Sequence, residues 1–291
     1  MTLKVNVLPA LAAAVLAIGV TAPRALLLAG AEDANSQPNP YQVVADHFKL
    51  PDGRSLGSTA AIDIDRDGHS VWVFERCGGA SQAQACATSS LAPVLKFDRS
   101  GKLMKSFGAG LFVSPHGIHV DRQGNIWLVD GAAKGAKGNQ VFKFSPDGKV
   151  LMTLGTAGVA GDGRDAFGPP SDVLVAPGGE LFVADGHGGA TNARIVKFSK
   201  DGTFIKTLQM RNLVCAINFD SHGNPWIATG QDGQFLKLDR SGKVLGAIGN
   251  GMGIETGQFI EASYWVFDKQ DNLYAGDTSV GRVTKMVAPA P

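Results

Sequence analysis

His116, Cys215, Arg76 and His187 are the residues of this 291-residue chain whose types could work together as a site. An imidazole and a thiolate both bind soft divalent metals, a guanidinium grips a carboxylate in bidentate fashion, and a histidine moves protons near neutral pH. Their value depends on convergence, and their sequence context gives a reason to expect it. Ala60, His116, Ser171, Cys215 and Ser263 each stand at the start of an apolar run, and five residues later come Asp65, Asp121, Ala176, Asp220 and Asp268. They are five copies of one position. His116 and Cys215 are the candidate metal pair, but a catalytic zinc takes three protein ligands and serine is a poor one, so a third donor would have to be His119 or His187. The expectation is that no cofactor is held, with zinc or another divalent metal as the alternative.

For these residues to converge, a repeating scaffold must carry them. The clearest copy runs from His116 to Gly155: an apolar strand ending in Asp, a turn, a strand ending in a small residue and Asp, a variable loop, a strand containing Lys-Phe, an Asp-Gly turn and a last strand. Related copies span Ala60 to Gly108, Ser171 to Leu208, Cys215 to Gly249 and Ser263 to Val287. The third-strand lysine recurs at Lys96, Lys143, Lys197, Lys237 and Lys285, at intervals of 47, 54, 40 and 48 residues. Four short strands in every ~40–50 residues, joined by tight Gly-containing turns, predict the blades of an all-β propeller, of which five are countable. The innermost strand of each blade lines a central channel, so Ala60, His116, Ser171, Cys215 and Ser263 share what we term the mouth position. The last copy lacks a fourth strand, and Tyr41–Phe48 is expected to supply it and close the ring.

Composition bounds the function. Lys+Arg 27 against Asp+Glu 26 leaves a net charge of +1, with no field to draw a polyanion, which argues against nucleic acid and membrane surfaces as partners. With 44% hydrophobic and 18% charged residues the chain folds around a substantial core. Lys4 precedes an apolar run from Val5 to Ala22, and Ala29-Gly30-Ala31 fits a cleavage site. Residues 1–31 therefore read as a signal peptide, with an uncleaved anchor as the alternative; 32–40 read as a linker and 41–291 as a single propeller domain. The mature protein is expected to be exported, periplasmic or secreted, and monomeric. Cys77 and Cys86 flank a short polar loop and are expected to form a disulfide, leaving Cys215 as a buried thiol or a site residue.

Other conspicuous residues have structural readings. Asp130, Asp185 and Asp277 end second strands, where carboxylates accept turn N–H groups. Trp72, Trp127, Trp226 and Trp265 are expected to pack between blades, the third-strand lysines to be solvated outer charges, and His222 to face solvent. Arg76 has two readings, a ligand carboxylate or a pairing with Glu75, Asp185 or a carboxylate of a neighbouring blade. GxSxG, HExxH, P-loop and Rossmann patterns are missing from the sequence, and the mouth position offers no carboxylate or amide for calcium-dependent lactonase chemistry.

The SPHGI turn, the VFER strand end, the PSDVLV, LFVADG and RIVKFSKDG segments of the third copy and the NLYAGDT ending resemble the NHL-repeat propellers. More specifically, they resemble the peptidyl-α-hydroxyglycine α-amidating lyases and their bacterial look-alikes, over roughly Tyr41 to Val287. The resemblance implies six blades. It also implies a zinc ion held by three mouth-position histidines, a tyrosine and arginines beside it, and cleavage of a hydroxyglycine-extended peptide to an amide and glyoxylate. His116 falls on the first zinc histidine, Cys215 on the second and Ser263 on the third. Arg76 matches one arginine, His187 replaces the tyrosine ahead of an inserted Gly188–Thr191, and Gly230 replaces the other arginine. The expected function is binding of a small molecule or peptide at the channel mouth by His116, Ser171, Asp185, Cys215 and Ser263, without the family's zinc site. Arg76 and His187 are the catalytic candidates if the chain is an enzyme, in which case a metal-dependent lyase or hydrolase is the alternative. A third reading is a protein-interaction module using the loops Gly131–Asn139 and Gly186–Asn192.

Overall fold

Strands packed between two sheets must be apolar on both faces, whereas edge strands alternate, and the repeat follows this division. The computed structural model describes residues 46–79, 84–187, 192–210, 213–267, 271–277 and 282–287. Blade one comprises β1 (Thr59–Ile64), β2 (Val71–Glu75), β3 (Val94–Phe97) and β4 (Leu103–Phe107); blade two β5 (Pro115–Val120), β6 (Ile126–Lys134), β7 (Lys137–Phe144) and β8 (Val150–Leu154). Blade three comprises β9 (Pro170–Val175), β10 (Leu181–Asp185), β11 (Arg194–Phe198) and β12 (Phe204–Gln209); blade four β13 (Ala216–Phe219), β14 (Pro225–Ala228), β15 (Phe235–Leu238) and β16 (Val244–Ile248). Blade five has β17 (Ala262–Phe267), β18 (Leu273–Asp277) and β19 (Arg282–Met286). Strands β10 and β11 are buried throughout, while the outermost β4 alternates half-buried and exposed positions.

Each sheet is an antiparallel meander in chain order, four with four strands and the fifth with three, giving a β-propeller with five blades among the described residues. Successive blades are joined by apolar seams. Trp72 and Phe74 pack with Ile118 and Phe142, Trp127 and Val141 with Val173 and Val196, Phe182 and Ile195 with Ile217 and Leu238, and Trp226 and Phe235 with Trp265 and Ala275. Among the described residues no helix is long and apolar enough to cross a membrane. Residues 1–45, which include the expected signal segment and linker, lie outside the described residues.

The tryptophans do pack between blades, but the third-strand lysines are not simply solvated. Asp65, at the end of β1, accepts the Trp72 indole N–H at 2.7 Å and pairs with Lys96 at 2.8 Å, and the ammonium lies 5.2 Å from the indole centre. Blades two and four repeat the triad as Asp121–Trp127–Lys143 and Asp220–Trp226–Lys237. In blade three Ala176 and Phe182 replace Asp and Trp, and Lys197 turns to Glu180 and the Arg240 carbonyl. The lysines are drawn inward because a carboxylate buried beside an indole needs a cation.

The expected strap, Tyr41–Phe48, lies mostly outside the described residues. The end that is described sits on blade one, where Phe48 stacks on Phe97 at 4.8 Å and Lys49 bridges Lys102. Leu50 and Leu56 cover the blade-one face formed by Val73, Leu95 and Phe97. The expected Gly131–Asn139 loop is largely a continuation of the β6–β7 hairpin, with Ala133 opposite Gly138, and within Gly186–Asn192 residues 188–191 lie outside the described residues.

Candidate functional site

The innermost strands β1, β5, β9 and β17 each carry a register shift at the mouth position. Thr59 and Ala61 pair with consecutive β2 residues, leaving Ala60 between them, and the same irregularity brackets His116, Ser171 and Ser263. A β-bulge kinks the strand and re-aims the extra side chain. Here it re-aims Ala60, His116 and Ser171, which with Cys215, the residue just before the regularly paired β13, line one cavity of about 250 Å³ with contributions from four successive blades. Ser263 lies in β17, and its side chain is outside the described residues.

Hydrogen bonds run from blade to blade at this level. Arg76 Nε donates to the Pro115 carbonyl at 3.1 Å, His116 Nδ1 lies 2.8 Å from the Ser171 carbonyl, and Ser171 Oγ donates to the Val214 carbonyl at 3.0 Å. Two glycines make room. A Cβ on Gly117 would fall 2.6 Å from the Ser171 carbonyl oxygen, and one on Gly131 would crowd the His116 ring at 3.2 Å. A carbonyl only accepts, so His116 carries its proton on Nδ1 and keeps the Nε2 lone pair.

His187 meets His116 edge to face, with ring centres 4.7 Å apart. Burial pushes the His116 imidazole down to about 4, helped by His187 and the Arg76 cation and opposed by the Ser171 carbonyl. Burial also lowers His187, with Glu261 opposing and Arg76 reinforcing. The mouth therefore combines a fixed cation, two neutral imidazoles and a carboxylate. Such a set can receive an anion at Arg76 and accept a proton or hydroxyl hydrogen at imidazole nitrogen.

Asp172, next to Ser171, also lines the cavity. Burial raises its carboxyl to about 7; the Ile217 and Val173 N–H groups oppose this, and Asp63 adds to it. Sequence reasoning looked for carboxylates at the mouth position alone and missed it. The bulge at Ser171 is what turns the following residue inward as well. Glu261 was missed too, since it precedes β17 and nothing in its local pattern marks it.

Arg76 and His187 stand beside His116 rather than in the lining of the cavity, and the remaining candidates lie elsewhere. Asp185 is fully buried and accepts from Arg194 Nε at 2.8 Å and Asn192 at 2.7 Å, so its carboxylate is committed to a structural pair. His119 lies toward the opposite end of β5, 3.8 Å from Asp63. Asp130 and Asp277 accept backbone N–H groups of the preceding loops, as their sequence position suggested. Cys77 and Cys86 are joined, with Cα atoms 5.2 Å apart, and Cys215 is a buried thiol outside any disulfide.

No family model matches the chain. A segment of 164 residues, 52% of this chain, is 44% identical to peptidyl-alpha-hydroxyglycine alpha-amidating lyase 1 of Drosophila melanogaster. The chain resembles these amidating lyases. The matched part is only 29% of the Drosophila lyase. A longer match, 26% identical over 210 residues, covers 67% of this chain and 56% of NHL repeat-containing protein 3 of Mus musculus. Among solved structures, a catalytically inactive virginiamycin B lyase of Staphylococcus aureus with quinupristin shares the fold, with a TM-score of 0.57, 13% identity and coverage of 82% of this chain and 72% of that one.

The zinc implied by likeness to the amidating lyases does not fit the donors present. Of the three mouth positions that would hold it, one is an imidazole, one a thiol and one a serine. Among the described residues no group of three His, Cys, Asp or Glu side chains is placed to grip a metal. Nor is the second lyase arginine simply absent: Gly230 has φ +58°, and a Cβ there would meet Leu213 at 2.4 Å and the Cys215 sulfur at 3.2 Å. The fold at this point is built around glycine.

Proposed function

We propose that this chain is an exported propeller that binds a small carboxylate-bearing molecule, or the C terminus of a peptide, at the channel mouth. Arg76 receives the carboxylate. His116 Nε2 accepts a hydrogen bond from an amide or hydroxyl of the ligand, and His187 closes one side of the site. The single observation that supports this most is the convergence of four mouth-position residues on one cavity, with an imidazole pair under the influence of an arginine. The resemblance to the amidating lyases implies that Arg76 and His116 stand at lyase site positions. Export is supported by the Cys77–Cys86 disulfide, which belongs to oxidising compartments.

Calorimetric titration with benzoylglycine tests the reading. Saturable binding is expected, weakened about tenfold or more in Arg76→Gln and in His116→Ala, the scale of a lost charge-assisted hydrogen bond. Equal affinity in both variants would refute it. Glyoxylate release from a hydroxyglycine peptide that depends on added zinc and on His116 would favour the lyase alternative.

A further inference from the structure

At the opposite end of the innermost strands, between blades two and three, lies a second cavity of about 600 Å³. That is the size of a small-molecule site, ~300–1,000 Å³. It exists because the repeat breaks there. The residue following the end of each innermost strand ordinarily reaches to the turn of the next blade. Arg66 donates to the Gln123 carbonyl at 3.2 Å, the Pro177 ring lies against Gly223, and Ser221 donates to Asp271 at 2.6 Å. Arg122 holds that position in blade two, yet it is exposed and has no hydrogen-bond or ionic partner among the described residues. It lines the cavity instead.

The facing wall has lost its carboxylate. Ala176 stands where the other blades carry Asp65, Asp121 and Asp220, and Pro177, Gly178 and Gly179 follow without charge. Lys200, its stem packed on Gly179, is a second exposed cation with no ionic partner among the described residues. Lys143 is the loosest of the triad lysines, 3.8 Å from Asp121 against 2.8 and 3.0 Å for Lys96 and Lys237. Of the two lining carboxylates, Asp121 is engaged by Trp127, Asn125 and Lys143, whereas Asp201 accepts from Ser199 and keeps its charge. The cleft therefore carries three cations against two carboxylates. Trp127 and Phe219 supply aromatic surface.

We propose that this cleft is a second binding site, distinct from the channel mouth, for a small organic anion with a planar apolar body. Arg122 and Lys200 hold the charge, and the body lies against Pro177 and Phe219. Calorimetric titration with benzoate and phenyl phosphate tests it, with benzamide and inorganic phosphate as controls, in an Arg76→Gln background that weakens binding at the mouth. One saturable event is expected for both aryl anions, weakened about tenfold in Arg122→Gln and in Lys200→Gln and retained in Arg122→Lys. Both side chains are exposed, so these variants change charge without touching the core. Absence of saturable binding at millimolar concentrations, unchanged affinity in both glutamine variants, or equal binding of benzamide would overturn the proposal. Inorganic phosphate binding as tightly as phenyl phosphate would overturn the apolar half of it.

Discussion

The Nδ1 of His116 sits 2.8 Å from the carbonyl oxygen of Ser171, so the mouth residue of blade two is fastened to the mouth residue of blade three. That bond fixes the tautomer and leaves Nε2 as the acceptor of a residue that lines the cavity.

His116, held down to about 4, should remain neutral throughout pH 5–8, and its ring NMR signals should not shift in that window. Its folded value lies below the ordinary ~6.5, so the unfolded chain binds more protons between these limits and His116's contribution to stability is lost as pH falls from 6.5 towards 4. A His116 titration midpoint near 6.5 would show that the imidazole is not enclosed as described.

Asp172 acts in the opposite sense. Raised to about 7, its carboxyl is protonated in the folded protein and ionised in the unfolded one between about 4 and 7, so its contribution declines as pH rises through that window. Denaturant unfolding at pH 5 and pH 8 should show a decline that Asp172→Asn largely removes. An unchanged decline in the variant would assign it to other groups, of which Asp130, raised by burial to about 6, is the first to examine.

The Asp–Trp–Lys triads should contribute measurably to stability. Asp220→Ala orphans the Trp226 indole N–H and the Lys237 ammonium, for an expected loss of about 2–4 kcal/mol, while Asp220→Asn keeps an acceptor for the indole and loses less. Thermal or urea unfolding of the pair checks this ordering.

Arg194 is buried against Asp185, and its guanidinium also donates to the carbonyls of Asp162, Gly163 and Ala166. Arg194→Met leaves a buried carboxylate unpaired and should cost about 3–5 kcal/mol. It should also expose the 156–168 segment to limited proteolysis. Resistance equal to wild type would mean that the segment is held by other contacts.

The Cys77–Cys86 bridge spans nine residues, worth about 3 kcal/mol in the chain-entropy picture. Reduction should lower the unfolding midpoint and leave a single cooperative transition, because the four seams between blades are untouched. Outright unfolding on reduction would contradict this.

Much of the scaffold could be read from the chain itself. The recurring strand-end aspartates, Lys-Phe strands and Gly turns report a local geometry that most blades repeat, and alignment on Asp65, Asp121 and Asp220 picks out Ala60, His116, Ser171 and Cys215, which line one cavity. What escaped depended on departures from regular pairing or on partners far apart in sequence. Asp172 faces the cavity because a bulge breaks strict alternation. Lys96, Lys143 and Lys237 turn inward because an aspartate and an indole 11 to 31 residues upstream meet them across the sheet. Asp185 carried two readings from the sequence, a structural acceptor and a ligand residue, and its cross-strand partner Arg194, directly opposite it in the hairpin, makes it a structural pair.

The central claim is that residues from successive blades meet at the channel mouth as a set no longer able to grip zinc. Elemental analysis of tag-free protein refolded or expressed with zinc, beside His116→Ala, tests it most directly. The account predicts zinc well below one ion per chain in both proteins; one ion per chain in the wild type, lost in the variant, would contradict it.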